Sequence, residues 1–207
     1  MKVSVVGLGY VGIVTTAALA KIGHQIIGFD SNLQKVKDCQ NGDIRIHEPD
    51  LAPLIREGLA AGNIKFTHNQ DDVGPLGDLA IVTVGTPSQN DGNSDLTYVK
   101  NAFDWVLEHS RGLKGIVLKS TVPPGTGRKL IERMKHLQGI FYYSSPEFLR
   151  EGNAIEDFLN PDRIVVGCEE STPRGLIEKL HMGLDAPFLF TDTTTSEMIK
   201  LSSNVFL

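Results

Sequence analysis

A chain of 207 residues, 41% of them hydrophobic and 22% charged, has the length and composition of a globular domain with a buried core. Its 20 Lys and Arg against 25 Asp and Glu leave a formal charge of −5, so no basic surplus exists for a nucleic-acid backbone. Aromatic residues, at 7%, are too few and scattered to stack on bases. Cys39 and Cys168 lie far apart, with no disulfide framework and no C-x-x-C metal pair, which fits a reducing cytoplasm. The six histidines show no metal-ligand spacing, and no apolar run nears the roughly 20 residues of a membrane span.

In chain order, the first apolar run, residues 3–6, has no small-residue cleavage site after it and reads as a strand, not a signal peptide. Further strands are expected at residues 25–29, 79–84, 115–118, 139–143 and 163–166. Each is short and mostly apolar, as a strand covered on both faces should be. Helical patterns lie between them at residues 11–22, 33–40, 51–61, 96–109, 127–136 and 173–180. Strand–helix alternation implies βαβ units, and right-handed crossovers then favour a doubly wound parallel α/β sheet. Residues 146–160 break the rhythm with a long acidic connection carrying Glu147, Glu151, Glu156 and Asp157, either a solvated loop or a functional one. A final helix is expected at residues 196–207, capped by Asp192 or by one of Thr193, Thr194 and Thr195. It ends on Val205, Phe206 and Leu207 with no glycine stop, as expected of a chain cut short within a longer helix; an apolar terminus docked on the core is the alternative.

Gly7-Leu8-Gly9-Tyr10-Val11-Gly12 is a G-x-G-x-x-G motif placed directly between the first strand and the first helix. In that context Gly7 permits the tight turn, Gly9 lets a pyrophosphate approach the backbone, and Gly12 lets helix and strand pack closely. Asp30 follows the second strand, where a carboxylate accepts hydrogen bonds from the adenosine ribose diol and repels a 2′-phosphate. No arginine follows it at Ser31, Asn32 or Leu33, so NAD is expected over NADP. The alternative is a strand–helix turn with no ligand. Gly125-Thr126-Gly127-Arg128-Lys129 lacks the spacing of a P-loop.

Beyond the glycine motif, five segments in order carry a resemblance over the whole chain. They are residues 6–12, Val84-Gly85-Thr86-Pro87, Ser120-Thr121-Val122-Pro123-Pro124-Gly125-Thr126, Ser145-Pro146-Glu147-Phe148-Leu149-Arg150-Glu151-Gly152, and Glu197-Met198-Ile199-Lys200-Leu201-Ser202-Ser203-Asn204. With them the sequence resembles the UDP-glucose/GDP-mannose dehydrogenase family. The resemblance implies a Rossmann-like NAD-binding domain over residues 1–193 and the start of a connecting helix over 194–207. It implies oxidation of the C6 alcohol of a nucleotide sugar to the uronic acid in the full-length enzyme, with NAD in both oxidation steps. Gly7, Gly9, Tyr10, Val11, Gly12, Asp30, Lys35, Thr86, Thr121 and Glu151 would contact the cofactor. Glu147, Glu151, Thr121, Lys200 and Asn204 would serve the reaction, with residues 147–151 as the substrate-facing loop. The family's nucleophilic cysteine sits in a downstream G-G-S-C segment that neither Cys39 nor Cys168 matches. The chain would then be the cofactor-binding half, inactive alone, of a cytoplasmic homodimer that uses neither nucleic acid nor membrane.

Elementary chemistry makes sense of these residue types. Loss of a hydride from an alcohol requires loss of a proton as well, which Glu147, Glu151 or a bound water could accept. Developing negative charge on oxygen calls for fixed donors, and Lys200 and Asn204, four apart on a helix, share a face. Lys200 could equally be a solvated residue, Asn204 a local cap, and Thr86 and Thr121 turn residues ahead of Pro87 and Pro123. Two other functions remain open at this point: a 3-hydroxyacid-type dehydrogenase, whose lysine and asparagine have similar spacing, and a non-enzymatic NAD-sensing domain.

Overall fold

The computed structural model describes residues 1–69 and 77–206. Eight strands form one sheet: β1 (Lys2–Val6), β2 (Gln25–Phe29), β3 (Ile64–Thr67), β4 (Leu79–Val82), β5 (Gly115–Leu118), β6 (Phe141–Ser144), β7 (Ile164–Gly167) and β8 (Phe188–Thr191). Their order across the sheet is β3-β2-β1-β4-β5-β6-β7-β8. All neighbours are parallel except β6 and β7, which meet antiparallel at the single pair Ser144–Gly167. The doubly wound parallel sheet therefore runs from β3 to β6, and the last two strands reverse it. Eight helices are described: α1 (Tyr10–Lys21), α2 (Leu33–Gln40), α3 (Leu51–Ala60), α4 (Thr97–Glu108), α5 (Thr126–Met134), α6 (Ala154–Leu159), α7 (Gly175–Leu180) and α8 (Thr193–Phe206).

Period-two alternation sorts the strand residues onto two cores. Val3, Val5, Ile81, Val117 and Tyr143 enter one, with Val14, Leu19, Ile55 and Ile177 of the helices. Val6, Ala80, Val82, Ile116, Leu118 and Tyr142 enter the other, with Val99, Phe103 and Leu130. Burial on both faces is why these strands read as unbroken apolar runs. Helix α1 is buried at every position from Gly12 to Ala20, and its small residues let it lie close on the sheet.

The structure adds three elements to the expected set: β3, β8 and α6. The connection at residues 146–160 is thus not one open loop, because Ala154–Leu159 within it form α6. The final helix starts earlier than expected, at Thr193, and Asp192 caps it by accepting from the Thr195 N–H at 3.1 Å; Leu207 lies outside the described residues. Among the described residues, no helix is long and apolar enough to cross a membrane, and no His, Cys, Asp and Glu cluster could hold a metal ion.

Candidate active site

The glycine turn, Asp30, Thr86, Thr121 and Glu147 follow the carboxyl ends of β1, β2, β4, β5 and β6, whereas Lys200 and Asn204 stand on α8. Gly7 has φ +99°, a left-handed conformation that side chains resist, and its N–H donates to the Phe29 carbonyl at 2.8 Å. The Thr83 hydroxyl donates to the Gly7 carbonyl at 2.7 Å, tying the turn to the end of β4. A Cβ on Gly12 would collide with that same Gly7 carbonyl oxygen, whereas one on Gly9 would meet nothing within 4 Å. Helix α1 begins with no side chain capping its N–H groups and no acidic residue in its first turn. Free amides, a positive helix end and open space above Gly9 fit the pyrophosphate of NAD.

Asp30 stands directly after β2, facing this turn. Its Oδ2 accepts from the Leu8 N–H at 2.8 Å and the Lys35 ammonium at 3.0 Å, and its Oδ1 accepts from the Asn32 N–H at 2.9 Å. Oδ1 retains capacity for a ribose hydroxyl, and Lys35 is held beside it by the ion pair. Tyr10 and Val11, the first residues of α1, are half-buried. The Thr86 hydroxyl donates to the Thr121 carbonyl at 2.8 Å, and the Ser120 hydroxyl to the Val84 carbonyl at 2.7 Å. These two bonds lace the loops after β4 and β5 together, so turn chemistry at Thr86 is observed whatever else the residue does.

After β6, Glu147 pairs with Lys200 of α8, Nζ to Oε1 3.1 Å, with the Lys200 and Glu147 side chains only 7% and 13% exposed. Glu147 Oε2 accepts from the Leu149 N–H at 2.6 Å, and the Lys200 ammonium lies 5.3 Å from the centre of the Phe148 ring. Lys200 is therefore not a solvated residue. Glu197, one turn earlier, fixes the helix: its carboxylate accepts from Gly125 and Gly127 N–H, each at 2.6 Å, at the start of α5. Burial pushes the Glu197 carboxyl up in pKa, with the backbone donors opposing. Glu151 and Asn204 are exposed, and among the described residues neither bonds to Lys200 or Glu147.

Three participants escaped the sequence reading. Glu197 and Glu48 are buried carboxylates with remote partners. Lys119 had a visible signal, a lysine closing the apolar run of β5. It is buried, with Nζ 3.5 Å from the Ser145 carbonyl oxygen and 5.6 Å from the Phe158 ring centre. Burial lowers its pKa from 10.5 to about 8, with Glu147 opposing the shift and Lys200 reinforcing it. Because the folded value is depressed, the unfolded chain holds the extra proton between about pH 8 and 10.5, so stability rises with pH across that window. Lys119→Met should flatten this rise. Urea denaturation from pH 7 to 10.5 should show wild type gaining up to about 3 kcal/mol more than the variant. Parallel pH profiles for the two chains would refute the assignment.

A family model described as the UDP-glucose/GDP-mannose dehydrogenase family, NAD binding domain, matches residues 1–185. The UDP-glucose 6-dehydrogenase TuaD of Bacillus subtilis is 40% identical over 211 residues, covering 100% of this chain and 46% of that protein. The UDP-glucose 6-dehydrogenase of Rickettsia conorii is 38% identical over 209 residues, covering 100% and 48%. Among solved structures, a UDP-glucose dehydrogenase from Pyrobaculum islandicum superimposes with TM-score 0.91 at 36% identity, over 99% of this chain and 49% of that one. A GDP-mannose dehydrogenase from Pseudomonas aeruginosa, solved as a ternary complex, gives TM-score 0.92 at 32% identity, over 100% and 50%. The chain thus spans about half the length of the relatives it matches.

Proposed function

The chain belongs to the UDP-glucose/GDP-mannose dehydrogenase family, and we propose that it forms the NAD-binding half of an enzyme that oxidises the C6 alcohol of UDP-glucose or GDP-mannose to the uronic acid. The observation that carries this reading beyond cofactor binding is the buried Lys200–Glu147 pair. A shielded carboxylate beside a shielded cation supplies two things an alcohol oxidation uses, a proton acceptor and a fixed positive charge near the oxygen. When bound, NAD supplies the hydride acceptor. Glu147 takes the hydroxyl proton, directly or through a water, as the C6 hydride leaves. Lys200, already desolvated, steadies the negative charge on the C6 oxygen. The Leu149 N–H and Lys200 already hold the Glu147 carboxylate in one place, so the base would need no reorganisation to act.

Around the chemistry, Gly7, Gly9, Tyr10, Val11 and Gly12 receive the pyrophosphate, Asp30 and Lys35 the adenosine ribose, and Thr86, Thr121 and Glu151 the nicotinamide half. Asn204 joins the substrate on the exposed side of α8. We place the end of the NAD-binding domain near residue 193, with α8 as the first part of the connecting helix. The whole protein would work as a cytoplasmic homodimer on a nucleotide sugar, without nucleic acid or membrane. The acidic balance, −5, and the two separate cysteines support that setting.

The cofactor assignment is tested at Asp30. Asp30→Ala should weaken NAD by roughly 10- to 100-fold, the worth of hydrogen bonds to a charged acceptor, and narrow the preference over NADP. Isothermal titration with both cofactors measures this. Tighter NADP than NAD binding by the unaltered chain would contradict the reading.

A further inference from the structure

One buried carboxylate gathers groups from three distant parts of the chain. Glu48 lies between α2 and α3, in a segment without periodicity, and is 8% exposed. Its Oε1 accepts both from the Tyr10 hydroxyl and from the Gly152 N–H, and its Oε2 accepts from the Ala154 N–H at 3.1 Å. Tyr10 is the first residue of α1, immediately after Gly9 of the glycine turn. Gly152 closes the loop that begins at Glu147, and Ala154 opens α6. A single oxygen atom is therefore shared by the helix that receives the pyrophosphate and the loop that carries Glu147. We infer that Glu48 is a positioning residue that couples cofactor binding at the glycine turn to ordering of the Glu147–Gly152 loop.

The chemistry of the junction suits a rigid link. Burial pushes the Glu48 carboxyl up, but the Tyr10, Gly152 and Ala154 donors outweigh it and hold it below the usual carboxylate range. Burial and the neighbouring Glu48 carboxylate raise the Tyr10 phenol, so it stays a donor. A buried carboxylate with every donor in place resists displacement, because moving any one donor leaves desolvated charge unpaired. Tightening of the first turn of α1 around a bound anion thus bears on Gly152 through Glu48. By linkage, an ordered loop raises NAD affinity by the same factor.

The inference rests on the NAD reading, and the experiment separates the two. Hydrogen exchange is followed by mass spectrometry on peptides spanning residues 147–156, with and without saturating NAD, while calorimetry on the same samples reports NAD affinity. In the unaltered chain NAD should slow exchange there at least threefold. Tyr10→Phe keeps the ring and the backbone N–H but removes the hydroxyl. It should bind NAD severalfold more weakly and, at saturation, lose the protection at 147–156, while α6, still capped by Glu48, exchanges as before without NAD. Glu48→Gln should lose the protection likewise. NAD binding with no change at 147–156, or equal protection in Tyr10→Phe, overturns the coupling alone. An unaltered chain that binds no NAD overturns the cofactor reading and the coupling with it.

Discussion

Replacing Gly12 with alanine is expected to abolish measurable NAD binding and to destabilise the fold by about 3 kcal/mol, at the upper end of overpacking costs. The added methyl would collide with the Gly7 carbonyl oxygen and lie 2.8 Å from the Thr83 hydroxyl oxygen. Neither neighbour can retreat cheaply. The Gly7 carbonyl is held by Thr83, and the Gly7 N–H by Phe29 on β2, so relief would have to lift α1 off the sheet. Helix α1 is buried almost throughout, and moving it opens the core it shares with Val5, Ile81 and Ile55. Gly9→Ala is the internal control: its methyl meets no protein atom within 4 Å, so the fold should keep its stability while NAD binding weakens. Urea midpoints and calorimetry on both variants decide the matter. A Gly12→Ala chain with normal midpoint and affinity would show that the helix can shift after all.

On the proposed function, Lys200→Ala in the whole protein is expected to lower kcat for nucleotide-sugar oxidation by roughly two orders of magnitude, with a smaller change in substrate binding. That corresponds to about 3 kcal/mol, the usual loss when one fixed oxyanion donor is removed. The structure sharpens the expectation, because the alanine also strands the Glu147 carboxylate in a largely buried position without its cation. Steady-state kinetics paired with a melting curve separate chemistry from folding. An unchanged kcat would remove Lys200 from the reaction.

The glycine turn and Asp30 were legible because their chemistry is local: a positive φ, a close approach and an acceptor at a strand end fix the residue types within a few positions. The core strands were legible because burial on both faces leaves an apolar run. The elements that went unread are those with little local signal. Strands β3 and β8 are four residues each at the two edges of the sheet, and α6 is six residues inside an acidic stretch. The reversal at β7 leaves no trace in composition, since it rests on one pair, Ser144–Gly167. Lys200 and Glu147 came from the family resemblance, not from pattern. Glu48 was invisible because its meaning lies 104 residues away, at Gly152.

One detail of the glycine turn has a wider effect. Four helices of eight or more residues, α1, α2, α4 and α5, follow the carboxyl ends of the parallel strands β1, β2, β4 and β5, and each could attract a phosphate. At α2 the Asn32 side chain already takes the Lys35 N–H, at α4 Asp95 takes the Thr97 N–H, and at α5 Glu197 takes those of Gly125 and Gly127. Of these four, only α1 has no side chain hydrogen-bonded to its first amides. A diphosphate drifting along this edge meets one occupied seat after another, two of them already filled by a carboxylate that repels it. The cofactor's register is thereby chosen as much by the closing of the rival positions as by the attraction of the true one.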